Sequence, residues 1–225
     1  MNFHIVTIFP EVFGKYFQVG IMGRAVEAGK IKIDLYNLRD YSKNKHHKVD
    51  DTPYGGGPGM VMTAQPIVDC IKDIKNKILK KDPKASSDKM RVVLLSAKGK
   101  KFDQKKAIEY KNFEHLILIC GRYEGVDERI AEYVADEEIS VGEYVLSGGE
   151  IPAMTVVDVT SRLLPEVLGN ENSLDSESYN EQGFQADFPV YTKPDKFGGW
   201  EVPEVLLSGN HKDIEEWREK RRKSK

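Results

Sequence analysis

Two glycine-rich runs hold the residues whose types and spacing point to ligand chemistry: ICGRYEGVDERI over residues 119–130 and ISVGEYVLSGGEIPAM over residues 139–154. Each starts with a short apolar, β-prone stretch and opens into a loop poor in bulky side chains. Where side chains are missing, backbone N–H and C=O groups can close on a small molecule. Two such loops within about thirty residues predict one shared pocket. Other familiar chemistries lack their residues. GGGPG at 55–59 has no following Lys-Ser/Thr, and no GxGxxG follows a strand, so phosphate-loop and dinucleotide sites are unsupported. No HExxH or CxxC points to zinc, and no GxSxG to a hydrolase elbow. His46 and His47 are adjacent and would diverge on a regular element, so a surface-loop role is expected for them.

These loops need a scaffold, and the pattern around them alternates strand and helix. Strands are expected at 3–9, 31–37, 92–95 and 116–120. Helical stretches are expected from Pro10, with Phe13 and Phe17 on one face, and over 20–28, stopped by Gly29. More follow from Thr63 or Ala64 to about Lys80, from an Asp103 N-cap to Tyr110, over 127–134 and over 151–164. The segment 40–59 reads as a polar loop. Short apolar strands alternating with helices imply an α/β domain with a mostly parallel sheet. From Gly169 to Gly183 apolar residues become scarce, as in a flexible linker. Beyond it, Val202–Leu207 and Ile214–Trp217 could supply the apolar contacts of a small second domain ending in a basic helix.

At 225 residues and 40% hydrophobic content the chain can form one large or two small domains with real cores. No apolar run approaches the ~20 residues that span a bilayer, and the first residues do not read as a signal peptide. Cys70 and Cys120 sit in apolar runs, where they are expected to pack as small hydrophobes in a reducing cytoplasm. The net charge of −2 conceals an asymmetry. Residues 72–106 carry 13 Lys/Arg against 4 Asp/Glu, residues 107–182 carry 4 against 17, and residues 211–225 carry 7 against 4. Such basic segments either bind phosphate backbones or are solvated faces.

Nine motifs in order carry a resemblance. They are IFPEVF, GIMGRAVEAGKIKIDLYNLRDY, VDDTPYGGGPGMVM, LLSAKGKKFDQ, ICGRYEGVDERI, SVGEYVLSGGEIPAM, SRLLPEVLGN, YTKP and VPEVLLSGNH. In this order and spacing the chain resembles the TrmD family of bacterial tRNA (guanine-N1)-methyltransferases, in the SPOUT superfamily. The resemblance implies a parallel α/β sheet with a deep trefoil knot over 1–168, a linker over 169–183 and a small helical tRNA-binding domain over 184–225. General topology rules disfavour knots, so the knot comes from the resemblance alone.

The resemblance also implies a function: transfer of a methyl group from S-adenosyl-L-methionine to N1 of the guanine at tRNA position 37, beside the anticodon. Three loops would bind this cofactor. The residues carried over are Leu95, Ser96, Gly121, Tyr123, Glu124, Gly125, Val141, Gly142, Glu143, Tyr144, Val145, Leu146, Gly148 and Gly149. Ala97 stands where many relatives have proline. The family's essential acid precedes Ser-Phe; here the pair is Ser178-Tyr179, so Glu177 matches, with Asp175 as competitor. Arg162 matches the catalytic arginine. Arg24, Arg39, Tyr54 and the GGGPGM loop fall in matching motifs that would contact RNA or shape a homodimer. Arg218, Lys220, Arg221, Arg222 and Lys223 could hold phosphates. The implied assembly is a homodimer whose active sites are shared between subunits, with tRNA and neither DNA nor membrane as partner. A metal site is not indicated, though Mg²⁺ could act through RNA or substrate. Two rival readings are a SPOUT enzyme acting on ribosomal RNA or a ribose oxygen, and a non-catalytic RNA-binding module.

Overall fold

The computed structural model describes residues 1–83, 85–169, 178–179 and 187–222. The chain divides into two units, Met1–Gly169 and Asn170–Lys225. In chain order the strands of the first unit are β1 (Asn2–Thr7), β2 (Lys32–Asn37), β3 (Asp50–Asp51), β4 (Val61–Met62), β5 (Met90–Lys101), β6 (His115–Cys120) and β7 (Glu137–Ser140). Its helices are α1 (Gly20–Glu27), α2 (Ala64–Lys81), α3 (Gln104–Tyr110), α4 (Glu128–Tyr133) and α5 (Glu150–Arg162).

Five strands form one all-parallel sheet in the order β2-β1-β6-β5-β7. A parallel sheet carries crossover helices on both faces, so its strands are apolar on both sides. That explains why VVLL and LILIC run without polar breaks. On one face Phe3, Ile5, Val93, Leu95, Leu116 and Leu118 pack under α1, α3 and α5. On the other, Val6, Val92, Leu94, Ile117 and Ile119 meet α2 and α4. The stripe Ile67, Cys70, Ile71, Ile74, Ile78 is what docks α2, and its opposite side is left to lysines. Both cysteines are free and buried. Asp103 caps α3, its carboxylate accepting the Lys106 N–H at 2.9 Å.

Two expectations change. Residues 10–17 do not form one helix but two 3-10 turns, Pro10–Phe13 and Tyr16–Gln18. The segment is too short, and is interrupted by Gly14, for α-helical propagation to repay its nucleation. What fixes it is the burial of Phe13 and Phe17, stacked with centroids 5.9 Å apart. The strand expected at 92–95 runs on to Lys101 with a break of register: both Leu95 and Lys100 pair with Ile139, so Ser96–Gly99 bulges out of the ladder. This polar stretch carries no apolar alternation that would reveal a strand.

In the second unit β8 (Lys196–Phe197) and β9 (Trp200–Glu201) form a hairpin, followed by α6 (Glu204–Leu207) and α7 (His211–Arg221). Asn210 caps α7 by accepting the Lys212 N–H. Phe188 lies beneath the guanidinium groups of Arg218 and Arg222, 4.9 and 5.5 Å from its centroid, and Tyr191 meets Trp217. Of the expected linker, only Gly169, Ser178 and Tyr179 fall among the described residues.

At the other end of the sheet from the glycine loops, His4 on β1 and His115 on β6 share one N–H between Nε2 and Nδ1 at 3.0 Å. His4 is 4% exposed. Burial, reinforced by the charge His115 would carry, lowers the His4 pKa from 6.5 to about 4; burial also lowers that of His115. The folded state therefore binds the His4 proton less readily than the unfolded chain. Its stabilisation is complete above pH 6.5 and is lost as pH falls from 6.5 towards 4, by up to about 3 kcal/mol at ~1.36 kcal/mol per pKa unit. Urea unfolding at pH 7.5 and 5.0 should show this loss in the wild type and a flatter dependence in His4→Gln.

Candidate active site at the ends of three parallel strands

β5, β6 and β7 are neighbours, and the segments where they lose their ladder face one another. In open parallel sheets, ligands bind at the carboxyl ends of the strands. Here the Ser96–Gly99 bulge, the loop after Cys120 and the loop after Ser140 enclose a cavity of about 460 Å³. Thirteen of the fourteen residues expected from the three loops line it: Leu95, Ser96, Gly121, Tyr123, Glu124, Gly125, Val141, Gly142, Tyr144, Val145, Leu146, Gly148 and Gly149. Glu143 does not; it is exposed on the outside of the loop.

The loops are held by backbone contacts that require small residues. Gly149 starts α5, and its N–H donates to the Gly121 carbonyl at 2.8 Å. A Cβ at Gly149 would stand 2.6 Å from the Cys120 Cα, so the start of α5 can lie against the end of β6 only with glycine here. Tyr123 adopts φ 62°, in the left-handed region that costs a non-glycine residue free energy. Its neighbours are pinned: Glu124 N–H donates to the Met60 carbonyl at 3.0 Å, Met62 N–H to Gly125 at 2.9 Å and Asp127 N–H to Met62 at 2.9 Å. These bonds draw the GGGPGM loop alongside the cavity, with Tyr54 fully exposed at its start.

A charged network underlies the loops. Glu150, 3% exposed, accepts from Thr7 Oγ1 at 2.8 Å and from Arg122 Nε at 2.9 Å. Arg122 also donates through Nη1 to the Ser147 carbonyl at 3.1 Å, and its guanidinium lies 4.7 Å from the Phe9 ring centroid. One side chain thus ties both glycine loops to the first turn of α5 and the end of β1. Local pattern does not single out Arg122, because a long cation among glycines reads as solvent-facing. Cys120, buried beside this network, has its thiol pKa pushed well up by burial and then by the Glu150 charge, so it is no nucleophile. Lys98 and Glu128 pair across the open rim, and Glu138 lines the wall.

Arg162 is not at the cavity of its own chain. It occupies the last turn of α5, half-buried, twelve residues beyond Glu150, or about 18 Å along the helix at ~1.5 Å per residue. Arg24 is exposed on α1, and Arg39 donates to the His47 carbonyl at 3.5 Å. Glu177, Asp175 and Lys223 lie outside the described residues. Among the described residues no group of three or more His, Cys, Asp or Glu side chains could hold a metal ion, and no helix is long and apolar enough to cross a membrane.

The cavity suits an adenosyl ligand on its own chemistry. Its volume lies within the ~300–1,000 Å³ range of small-molecule sites. Glycine backbone and Leu, Ile, Val and Pro side chains form much of its wall, and five charged residues stand at fixed places: Lys98, Arg122, Glu124, Glu128 and Glu138.

Comparison with known proteins supplies the context. The family described as tRNA (Guanine-1)-methyltransferase TrmD matches residues 1–225. A tRNA (guanine-N(1)-)-methyltransferase of Clostridioides difficile is 50% identical over 218 residues, covering 97% of this chain and 90% of the relative. One from Finegoldia magna is 46% identical over 222 residues, covering 99% and 90%. The crystal structure of the tRNA (m1G37) methyltransferase from Aquifex aeolicus superposes with a TM-score of 0.76 at 38% identity, covering 96% of this chain and 87% of that one.

Proposed function

The chain belongs to the tRNA (guanine-1)-methyltransferase TrmD family, and from that premise we propose that its cavity holds S-adenosyl-L-methionine and that it methylates N1 of the guanine at tRNA position 37. The observation that carries the reading is the convergence of three separate loops, thirteen of fourteen expected residues, on one cavity. The bound donor supplies a methyl already activated on a sulfonium. The protein's task is therefore the acceptor. Guanine N1 carries a proton at neutral pH and is a poor nucleophile until it leaves. Glu177 takes that proton as general base, and the Arg162 guanidinium stabilises the negative charge that develops towards O6. The target base leaves its stack to enter the site, and the loops hold it in line with the methyl.

The site is assembled from two copies. Support comes from the separation of Arg162 from its own cavity and from the apolar surface beside that cavity: Val145 is 87% and Ile151 59% exposed, with Tyr144 next to them. The partner's Arg162 and Glu177 then serve each pocket. In a mixed dimer, Glu177→Ala in one subunit and Gly149→Val in the other should restore about one working site per dimer. Strictly separate sites would give no recovery. The deep trefoil knot belongs to the same reading, since the cavity loops are the segments it would entangle. So do the domain roles: cofactor binding in 1–168, a linker over 169–183, and tRNA contacts by 184–225 through Arg218, Lys220, Arg221, Arg222 and Lys223.

Transfer of labelled methyl to tRNA transcripts tests the activity. Transcripts with guanine at position 37 should accept label and those with that guanine replaced should not; labelling of both alike would refute the assignment.

A further inference from the structure

Among the described residues, two cationic side chains line the cavity, Lys98 and Arg122. Arg122 has its charge already balanced: Glu150, 3% exposed, accepts from its Nε at 2.9 Å, and its Nη1 holds the Ser147 carbonyl. Drawing it to another anion would strand a buried carboxylate. Lys98 is different. It stands in the Ser96–Gly99 bulge with 59% of its side chain exposed, and its partner Glu128 is 58% exposed. An ion pair so open to water contributes ~0–1 kcal/mol, so a change of partner costs little. The lysine stem is flexible, and bond rotation can turn its ammonium to another acceptor at the rim.

The reading of the cavity as the methyl-donor site, on which this inference rests, supplies that acceptor. Adenine and ribose are neutral, the sulfonium and the amino group are cationic, and the carboxylate alone is an anion. The ammonium has two exposed acids to choose from, Glu124 and Glu128. The carboxylate has one exchangeable cation in the lining. Backbone N–H groups alone would not suffice for it: Glu124, Glu128 and Glu138 line the same cavity, so without a cation it would face like charge. Moving Lys98 from Glu128 to the carboxylate also frees that acid for the ammonium. One ion pair then gives way to two, and no charge is left unmatched. We infer that Lys98 is a binding residue that holds the carboxylate at the amino-acid end of the donor, and so distinguishes S-adenosyl-L-methionine from adenosyl compounds that lack this group.

Calorimetric titration of the full-length protein, without tRNA, tests this with S-adenosylhomocysteine, its decarboxylated form and its deaminated form. The wild type should bind the decarboxylated form about tenfold more weakly than the parent, the usual worth of a charge-assisted hydrogen bond. Lys98→Met keeps most of the stem and drops the charge. It should bind the parent and the decarboxylated form within about twofold of each other, while its affinity for the deaminated form, which keeps the carboxylate, falls about as far as that for the parent. Lys98→Arg should restore most of the difference. A decarboxylation penalty that is absent from the wild type, or unchanged in Lys98→Met, would overturn the inference. So would a penalty that disappears only in Arg162→Ala, which would give the carboxylate to the partner subunit's Arg162. An equal loss of affinity for all three compounds in Lys98→Met would also overturn it, since that is a change of loop shape and not a lost ion pair. A wild type that binds none of the three would instead remove the cofactor reading itself.

Discussion

Glu177→Gln is expected to lower methyl transfer by about 10²–10⁴-fold, the usual worth of a positioned general base, while affinity for S-adenosyl-L-methionine stays within about twofold. The two effects separate because the cavity is built entirely from residues before Gly169, whereas the acid lies in the following segment. Glutamine keeps the size and can still hydrogen-bond, but it cannot accept the N1 proton. Asp175→Asn should stay near wild-type activity. Single-turnover transfer with saturating tRNA and cofactor reads the chemical step directly. If Asp175→Asn is the inactive variant and Glu177→Gln the active one, the base is Asp175.

Arg122→Ala should produce the largest loss of stability, about 3–5 kcal/mol, the range for breaking a buried ion pair from one side. The substitution strands Glu150, which is 3% exposed and keeps only its bond from Thr7. It also releases the Ser147 carbonyl and uncovers Phe9. Both glycine loops lose a common anchor, so cofactor affinity should fall along with stability. Adding Glu150→Gln to Arg122→Ala should recover part of the stability, because the stranded charge is removed. Urea denaturation of the wild type, both single variants and the double variant gives the coupling free energy. Additive losses would show that the two side chains act independently.

The sheet was legible because burial on both faces leaves a simple mark: VVLL and LILIC are unbroken apolar runs. Asp103 was legible as a cap for the same reason, since a short acidic side chain before a helix has one dominant use. The Ser96–Gly99 bulge was not, because it is defined by Leu95 and Lys100 both pairing with Ile139 of β7, a long-range fact absent from local pattern. Nor were the 3-10 turns after β1, which are fixed by where two phenyl rings find the core.

The pocket was legible as two glycine runs, but its geometry was not. Nothing local says that Gly149 must lie against Cys120, or that Met60 and Met62 pair with the loop at 124–127. Arg122 escapes local pattern because a charged residue in a sequence reads as solvated; only the fold shows it locked in a network. Glu143 of the third loop is exposed and outside the cavity lining, which the sequence of its neighbours does not reveal.

The most direct measurement is a crystal structure of the protein with S-adenosyl-L-methionine. The account predicts the donor bound between Ser96–Gly99, Gly121–Gly125 and Val141–Gly149, its methyl facing the open rim. Those loops found closed on their own side chains, with the donor bound elsewhere or absent at saturating concentration, would contradict it.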